Sequence, residues 1–284
     1  MSEPLVWRHR TGEIVFDRTR VMGVLNVTPD SFSDGGRFFD SVAAVRRGLE
    51  MAEQGADIID VGGESTRPGS DRVPAEEEWR RVSPVIRELA ANLTIPISID
   101  TRKPDIARKA IRAGASIVND VTALQDPEMV PVVASSRVGV VLMHLRGEPK
   151  TMQDRPSYSD VVAEVREFLE ERVRTAASHG IALEAIAVDP GIGFGKDLNH
   201  NLALLRHLDA LALLGQPIVV GVSRKSFLKR LDAGDEAVDR LAGSVAAATL
   251  AVAHGAHVIR AHDVLETVRA MRVADALLRG SESL

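Results

Sequence analysis

Apolar and polar positions along this chain follow two rhythms that take turns. Eight short apolar runs read as buried strands: Val21-Met22-Gly23-Val24-Leu25, Asp57-Ile58-Ile59-Asp60-Val61, Ile97-Ser98-Ile99, Ser116-Ile117-Val118, Gly139-Val140-Val141-Leu142-Met143, Ile186-Ala187-Val188, Ile218-Val219-Val220-Gly221 and His257-Val258-Ile259-Arg260. Between them apolar residues return every three or four positions. The first such segment predicts a helix capped by Ser41, with Val42, Val45, Leu49 and Ala52 on one face. Others are predicted over 75–91, 104–112, 127–135, 158–178, 198–214, 237–254 and 264–278. Gly55, Gly114, Gly180 and Gly255 stop helices before the even-numbered strands, and Pro96 and Pro217 lead into odd ones.

Alternating strands and helices imply a parallel sheet covered on its faces. Eight evenly spaced units in 284 residues predict an α/β fold, a (β/α)8 TIM barrel. An open doubly wound sheet is the weaker alternative. Ahead of the first unit, Leu5-Val6-Trp7 and Ile14-Val15-Phe16 flank the turn Thr11-Gly12-Glu13 and predict a β-hairpin. The expected organisation is a hairpin over 1–20 closing the barrel bottom and one barrel domain over 21–284.

Composition trims the function classes. A formal charge of −5 leaves no basic footprint for nucleic acid. Without cysteine there are no disulfides or thiolate metal sites, which suits a reducing compartment. Residues 1–10 lack a signal-peptide core, and no apolar run approaches a membrane span. The expectation is a cytoplasmic enzyme with no membrane or nucleic-acid partner.

The chemistry lies where strands end. Asn26, Glu64, Asp100, Asn119, His144, Asp189, Lys225, Arg260 and His262 all stand at or just past the C-terminal end of a strand. In a barrel those ends form one mouth, where active sites sit. Singly, each residue is equally well a turn former, a helix cap or, for Arg260, a partner of Asp263. Jointly, the bland account needs a separate coincidence at every strand.

The turn Asp189-Pro190-Gly191-Ile192-Gly193-Phe194-Gly195-Lys196 suggests a phosphate loop at first sight. It fails G-x-x-x-x-G-K-[ST], with Pro190 and Asp197 at the decisive positions, and Lys196 breaks G-x-G-x-x-G. Its glycines are expected to give a flat ring room to approach the backbone. Lys196 is expected at a helix start, facing solvent or Asp197. Acceptors at Asp100 and Asp189, both donor and acceptor at Asn119, and a point donor at Lys225 suit a flat heterocycle with an amidine-like edge. Arg260 and His262, after the last strand, suit an anion. Nothing has the spacing of a tight metal site, although a metal carried in by a polyphosphate needs few protein ligands, such as Asn26. No Ser-His-Asp order or Cys nucleophile points to covalent catalysis. The polar loops 28–37, with the lone aromatic Phe32, and 65–72 are expected to close over the mouth.

These motifs resemble, in order and over nearly the whole chain, those of dihydropteroate synthases. Asn26-Val27-Thr28-Pro29-Asp30-Ser31-Phe32-Ser33-Asp34-Gly35-Gly36 is similar to the family's first signature, and Gly62-Gly63-Glu64-Ser65-Thr66-Arg67-Pro68-Gly69 to its second. Ser98-Ile99-Asp100-Thr101, Asn119-Asp120, Met143-His144, the turn from Asp189 to Lys196, Ser223-Arg224-Lys225-Ser226-Phe227 and the stretch from Arg260 to Asp263 follow. The resemblance implies a transferase joining 4-aminobenzoate to 6-hydroxymethyl-7,8-dihydropterin diphosphate with the help of Mg2+, in a homodimer built on the last helices. It implies a pterin site of Asp100, Asn119, Met143, Asp189, Phe194, Gly221 and Lys225. It implies a diphosphate site of Asn26, Thr66, Arg260 and His262, with Asn26 also the metal ligand. The aminobenzoate site would be Phe32, Thr66, Arg67, Pro68, Lys225 and Ser226, and the catalytic set Asp34, Lys225, Arg260 and His262. The competing readings are a pterin-binding methyltransferase, a non-catalytic pterin-binding paralogue and a phosphate-handling barrel isomerase.

Overall fold

The computed structural model describes residues 4–28, 36–65, 70–148, 151–231, 236 and 240–280. Strands β1 (Val6–His9) and β2 (Gly12–Val15) form an antiparallel hairpin. The barrel strands are β3 (Arg20–Asn26), β4 (Ile58–Gly62), β5 (Ile97–Asp100), β6 (Ile117–Asp120), β7 (Gly139–Met143), β8 (Ile186–Asp189), β9 (Val219–Gly221) and β10 (Val258–Ala261). All eight pair in parallel, in the order β8-β7-β6-β5-β4-β3-β10-β9. The ring closes where β8 meets β9, through one bridge between Val188 and Ile218 and a 2.9 Å bond from Val188 N to Pro217 O. The TIM barrel and its hairpin are therefore present, and the open sheet is excluded.

Helices α1 (Gly36–Glu53), α2 (Ala75–Asn92), α3 (Pro104–Ala113), α4 (Met129–Ser136), α5 (Val161–Ser178), α6 (Leu198–Arg206), α7 (Ser226–Lys229), α8 (Leu241–Ala253) and α9 (Val264–Arg279) complete the described elements. Three helical expectations need correction. Ser41 lies inside α1 rather than capping it, since no Gly or Pro stands between Arg37 and Ser41 to stop the helix reaching back to Gly36. α5 starts at Val161 because the Asp160 side chain accepts from Val162 N and Ala163 N, at 3.0 and 3.1 Å. The segment 198–214 is α6 followed by a 3-10 helix, Leu208–Leu214.

Side chains of a strand alternate between faces. The outward set, including Ile59, Ile97, Ile99, Val118, Val140, Leu142, Val188 and Val220, packs against the helices in the larger core cluster. The inward set begins as a separate apolar plug of Met22, Ile58, Ile117, Val141, Ala187, Val219 and Val258, to which the hairpin adds Trp7, Ile14 and Phe16. Trp7 is wholly buried there, and its indole N–H donates to Ala185 O at 3.0 Å. One step further along the same faces the chemistry changes.

Candidate active site

Two residues beyond the plug, the inward positions are Asp60, Asp100, Asn119, Met143, Asp189, Gly221 and Arg260. Registry brings several of them side by side: Asn26 opposite Gly62, Gly62 opposite Asp100, and Asp100 opposite Asn119. Met143 lies opposite Asp189, and Gly221 opposite Arg260. Seven of the expected site residues, Asn26 included, therefore come from seven different strands onto one rim.

Arg260 organises the floor. Its Nε donates to Asp60 Oδ2 at 2.6 Å and its Nη2 to Asp100 Oδ2 at 2.7 Å. Asn119 Nδ2 donates to the same Asp60 oxygen at 3.0 Å. Asp60 is not conspicuous in the sequence, because within Asp57-Ile58-Ile59-Asp60-Val61 it stands inside the apolar run rather than at its end. Its place two residues before Gly62, on the inward face, is the signal that finds it. Asp60 Oδ1 is buried without a partner among the described residues. The alternative pairing of Arg260 with Asp263 does not occur, since Asp263 is taken by Arg224, whose Nε lies at 2.9 Å.

Burial pushes the Asp100 carboxyl up to about 7, against the pull of Arg260. Burial likewise raises Asp189, against Lys225. Asp189 Oδ1 accepts from Gly191 N at 2.7 Å. Lys225 reaches back to Ile192 O and lies 4.7 Å from the Phe194 ring centroid. Burial lowers its amine to about 8, against nearby Asp189. A Cβ on Gly221 would stand 3.7 Å from Lys225 Nζ, so the glycine leaves the space beside that amine open. Ser226 follows at the exposed start of α7. His262, half-buried, has its backbone N–H and its Nδ1 each 3.1 Å from Ser223 Oγ.

Some expected residues are not brought into the mouth. Glu64 turns away to Arg102 Nη2 at 2.9 Å and to Lys103, which also holds Glu78 and Val73 O. Lys196 faces neither solvent nor Asp197: it is 2% exposed and bonded to His144 Nδ1. Asp197 instead caps α6, accepting from His200 N at 2.8 Å. The turn's outer glycines also serve a different purpose from the one expected. A Cβ on Gly191 would collide with His144 O, and one on Gly195 with Arg146 O, and both residues have φ above +60°. It is the chain's own backbone after β7 that these glycines admit. Phe32, Asp34, Thr66, Arg67 and Pro68 lie outside the described residues.

Comparison with known proteins decides the family. Residues 22–262 match the family described as pterin binding enzyme. A dihydropteroate synthase from Escherichia coli (strain K12) is 47% identical over 264 residues, covering 93% of each chain. This chain belongs to the dihydropteroate synthase family. The fold agrees: a dihydropteroate synthase of Xanthomonas albilineans, solved with 4-aminobenzoic acid, superposes with a TM-score of 0.92 at 48% identity, covering 97% of this chain and 99% of that one. The same species' enzyme in complex with 7,8-dihydropteroate gives 0.86 at 47% identity, covering 94% and 96%. The chain is thus a transferase of that family, and the isomerase reading falls. Among the described residues no helix is long and apolar enough to cross a membrane.

Proposed function

We propose that the barrel mouth condenses 4-aminobenzoate with 6-hydroxymethyl-7,8-dihydropterin diphosphate, giving 7,8-dihydropteroate and diphosphate. The observation that supports this is that Asp100, Asn119 and Asp189 stand at the inward ends of β5, β6 and β8, with the Lys225 amine just past β9 and beside Gly221. Carboxylates there accept from the ring's amidine-like N–H edge, while Asn119 and Lys225 meet its other polar atoms. Met143 and Phe194 wall the slot. The 2-to-1 bonding of Arg260 to Asp60 and Asp100 leaves its Nη1 without a hydrogen bond among the described residues. That donor, His262 and Thr66 are assigned to the diphosphate. Phe32, Thr66, Arg67, Pro68 and Ser226, beside Lys225, are assigned to the aminobenzoate.

The carbon–oxygen bond that breaks lies next to a conjugated ring, which delocalises the cation left at the methylene. The bonding pair leaves with the diphosphate, and the arylamine nitrogen then forms the new bond and gives up a proton. Donors fixed where that negative charge develops supply most of the help, and Arg260 is held rigidly by two carboxylates. The arylamine is already neutral near pH 7, so no strong base is needed. Asp34 is assigned to stabilise the cation or take the amine proton.

The donor set fits Mg2+ held through the substrate. No cluster of three His, Cys, Asp or Glu side chains forms a metal site among the described residues. Asn26, half-buried at the end of β3, offers one hard oxygen ligand. Bound there, the ion would neutralise charge on the leaving group. The proposal further takes the hairpin as the lower closure of a single pterin-binding domain, the cytoplasm as its location, and a homodimer through α8 and α9. The exposed Leu250, Val273 and Leu277 on those helices support the dimer.

The test combines the two substrates with purified protein and Mg2+. Formation of dihydropteroate and diphosphate is expected. Absence of both products would leave a methyltransferase-like or non-catalytic pterin-binding role.

A further inference from the structure

A lysine is rarely buried without a carboxylate to meet it. Lys196 is such a lysine. Its Nζ lies 2.8 Å from His144 Nδ1, 3.0 Å from Gly191 O and 2.9 Å from Phe194 O. His144 is itself 4% exposed, at the exit of β7. Burial, and then Lys196, push its imidazole down to about 2, so the ring is neutral. Burial also lowers the Lys196 amine well below the usual lysine range, opposed by Asp189. The three partners satisfy either form. An ammonium donates to all three, and a neutral amine donates to the two carbonyls and accepts from Nδ1–H.

The two carbonyls bracket the turn after β8. Everything that this side of the mouth offers a ring hangs on that turn. Gly191 N holds the Asp189 carboxylate, Ile192 O holds the Lys225 amine, and Phe194 lies against the same amine. The turn's outer side is fastened separately, with Tyr158 Oη donating to Gly195 O at 2.8 Å and Gly193 N to Asn201 Oδ1 at 2.6 Å. From within, Lys196 ties it to the exit of the neighbouring strand.

We propose that Lys196 and His144 are a positioning pair for the pterin end of the site: they fix the β8–α6 turn against β7 and thereby set where Asp189, Phe194 and Lys225 stand. Neither side chain needs to touch substrate. The proposal rests on the pterin reading of the mouth. It predicts a selective defect, because the diphosphate residues Arg260 and His262 stand at the end of β10, away from that turn.

The experiment is steady-state kinetics on the wild type and three variants, with Mg2+ and both substrates. Lys196→Met keeps the length and loses the donors. Lys196→Met/His144→Leu removes both polar ends at once, which limits the folding penalty of an orphaned buried partner. His144→Asn keeps an acceptor near the Nδ1 position. A displacement of about 1 Å in positioned groups costs on the order of a hundredfold, so KM for the pterin diphosphate should rise by roughly tenfold to a hundredfold in the first two variants. Inhibition by free diphosphate should stay within about twofold, and His144→Asn should behave nearly as wild type. A pterin KM within about twofold of wild type in both Lys196 variants overturns the proposal. So does an equal weakening of diphosphate inhibition together with loss of soluble folded protein, which marks a merely structural lysine. A wild-type chain that makes no dihydropteroate overturns instead the reading of the mouth, and the positioning role with it.

Discussion

The inside of this barrel holds two layers of side chains that stand two residues apart on the same strands. In the lower layer the strands contribute Ile58, Ile117, Val141, Ala187, Val219 and Val258, with Trp7 packed among them. In the upper layer the same strands contribute Asp60, Asn119, Met143, Asp189, Gly221 and Arg260. Backbone, pairing and burial are nearly alike, so none of these sets the chemistry. What differs is position along the strands. The lower layer packs with the hairpin's Trp7, Ile14 and Phe16 and is filled with atoms that need no partner. The upper layer stands at the C-terminal ends of the strands, and its polar groups partly satisfy one another while leaving hydrogen-bonding capacity unused. The cost of that capacity is visible in the Asp60 oxygen without a partner and in a carboxyl pushed up to about 7 at Asp100.

The comparison breaks most sharply if the plug matters for the reaction. Trp7→Ala should cost about 3–5 kcal/mol of stability, the range for deleting a buried aromatic. Measured by denaturant unfolding and by kcat/KM at a temperature where the variant is folded, stability should fall and activity should nearly persist. Arg260→Met tests the other layer. It should lower kcat by on the order of 10² to 10³, the usual effect of losing one fixed donor to developing charge. Its unfolding midpoint should move less than that of Trp7→Ala, because Asp100 can take up a proton once its cation is gone.

A gentler probe is pH. Because the Asp100 carboxyl is raised to about 7, it is neutral below that pH and ionised above it. A ring that donates to it needs the ionised form. Affinity for a dihydropterin should therefore fall about tenfold per unit as pH drops below about 7, and level off above it. Calorimetric titrations showing constant affinity from pH 5.5 to 8 would mean that this carboxylate is not the acceptor. The smallest effect is expected at the boundary between layers. Ser98 stands one step below Asp100, and its hydroxyl is buried without a partner among the described residues. Ser98→Ala should be neutral or stabilising by up to about 1 kcal/mol, and a clear loss of stability would reveal a partner for that hydroxyl.

The periodicity of the chain was enough to read the barrel, its hairpin and the convergence of strand ends. Asp100, Asn119, Asp189 and Arg260 were legible because a polar residue closing an apolar run is conspicuous. Asp60 was not, since it stands inside its run, and only the inward parity with Ile58 and Gly62 exposes it. Lys196 was misplaced for a different reason. A lysine at a helix start is ordinarily solvated, and nothing in the local sequence shows that the next layer of backbone, at His144 and Arg146, lies within a Cβ's reach of Gly191 and Gly195. Contacts between turns of neighbouring units are set by barrel closure, which no window of sequence contains.

That closure is itself uneven. Seven of the strand junctions are continuous ladders, while β8 and β9 meet through the single Val188–Ile218 bridge. This seam is the place where amide protons should exchange soonest, because opening it sacrifices the fewest bonds. Asp189 stands on one side of the seam and Gly221 and Lys225 on the other. A ring gripped by Asp189 and Lys225 would act as a removable stitch across it, so that binding substrate and finishing the barrel become one thermodynamic event.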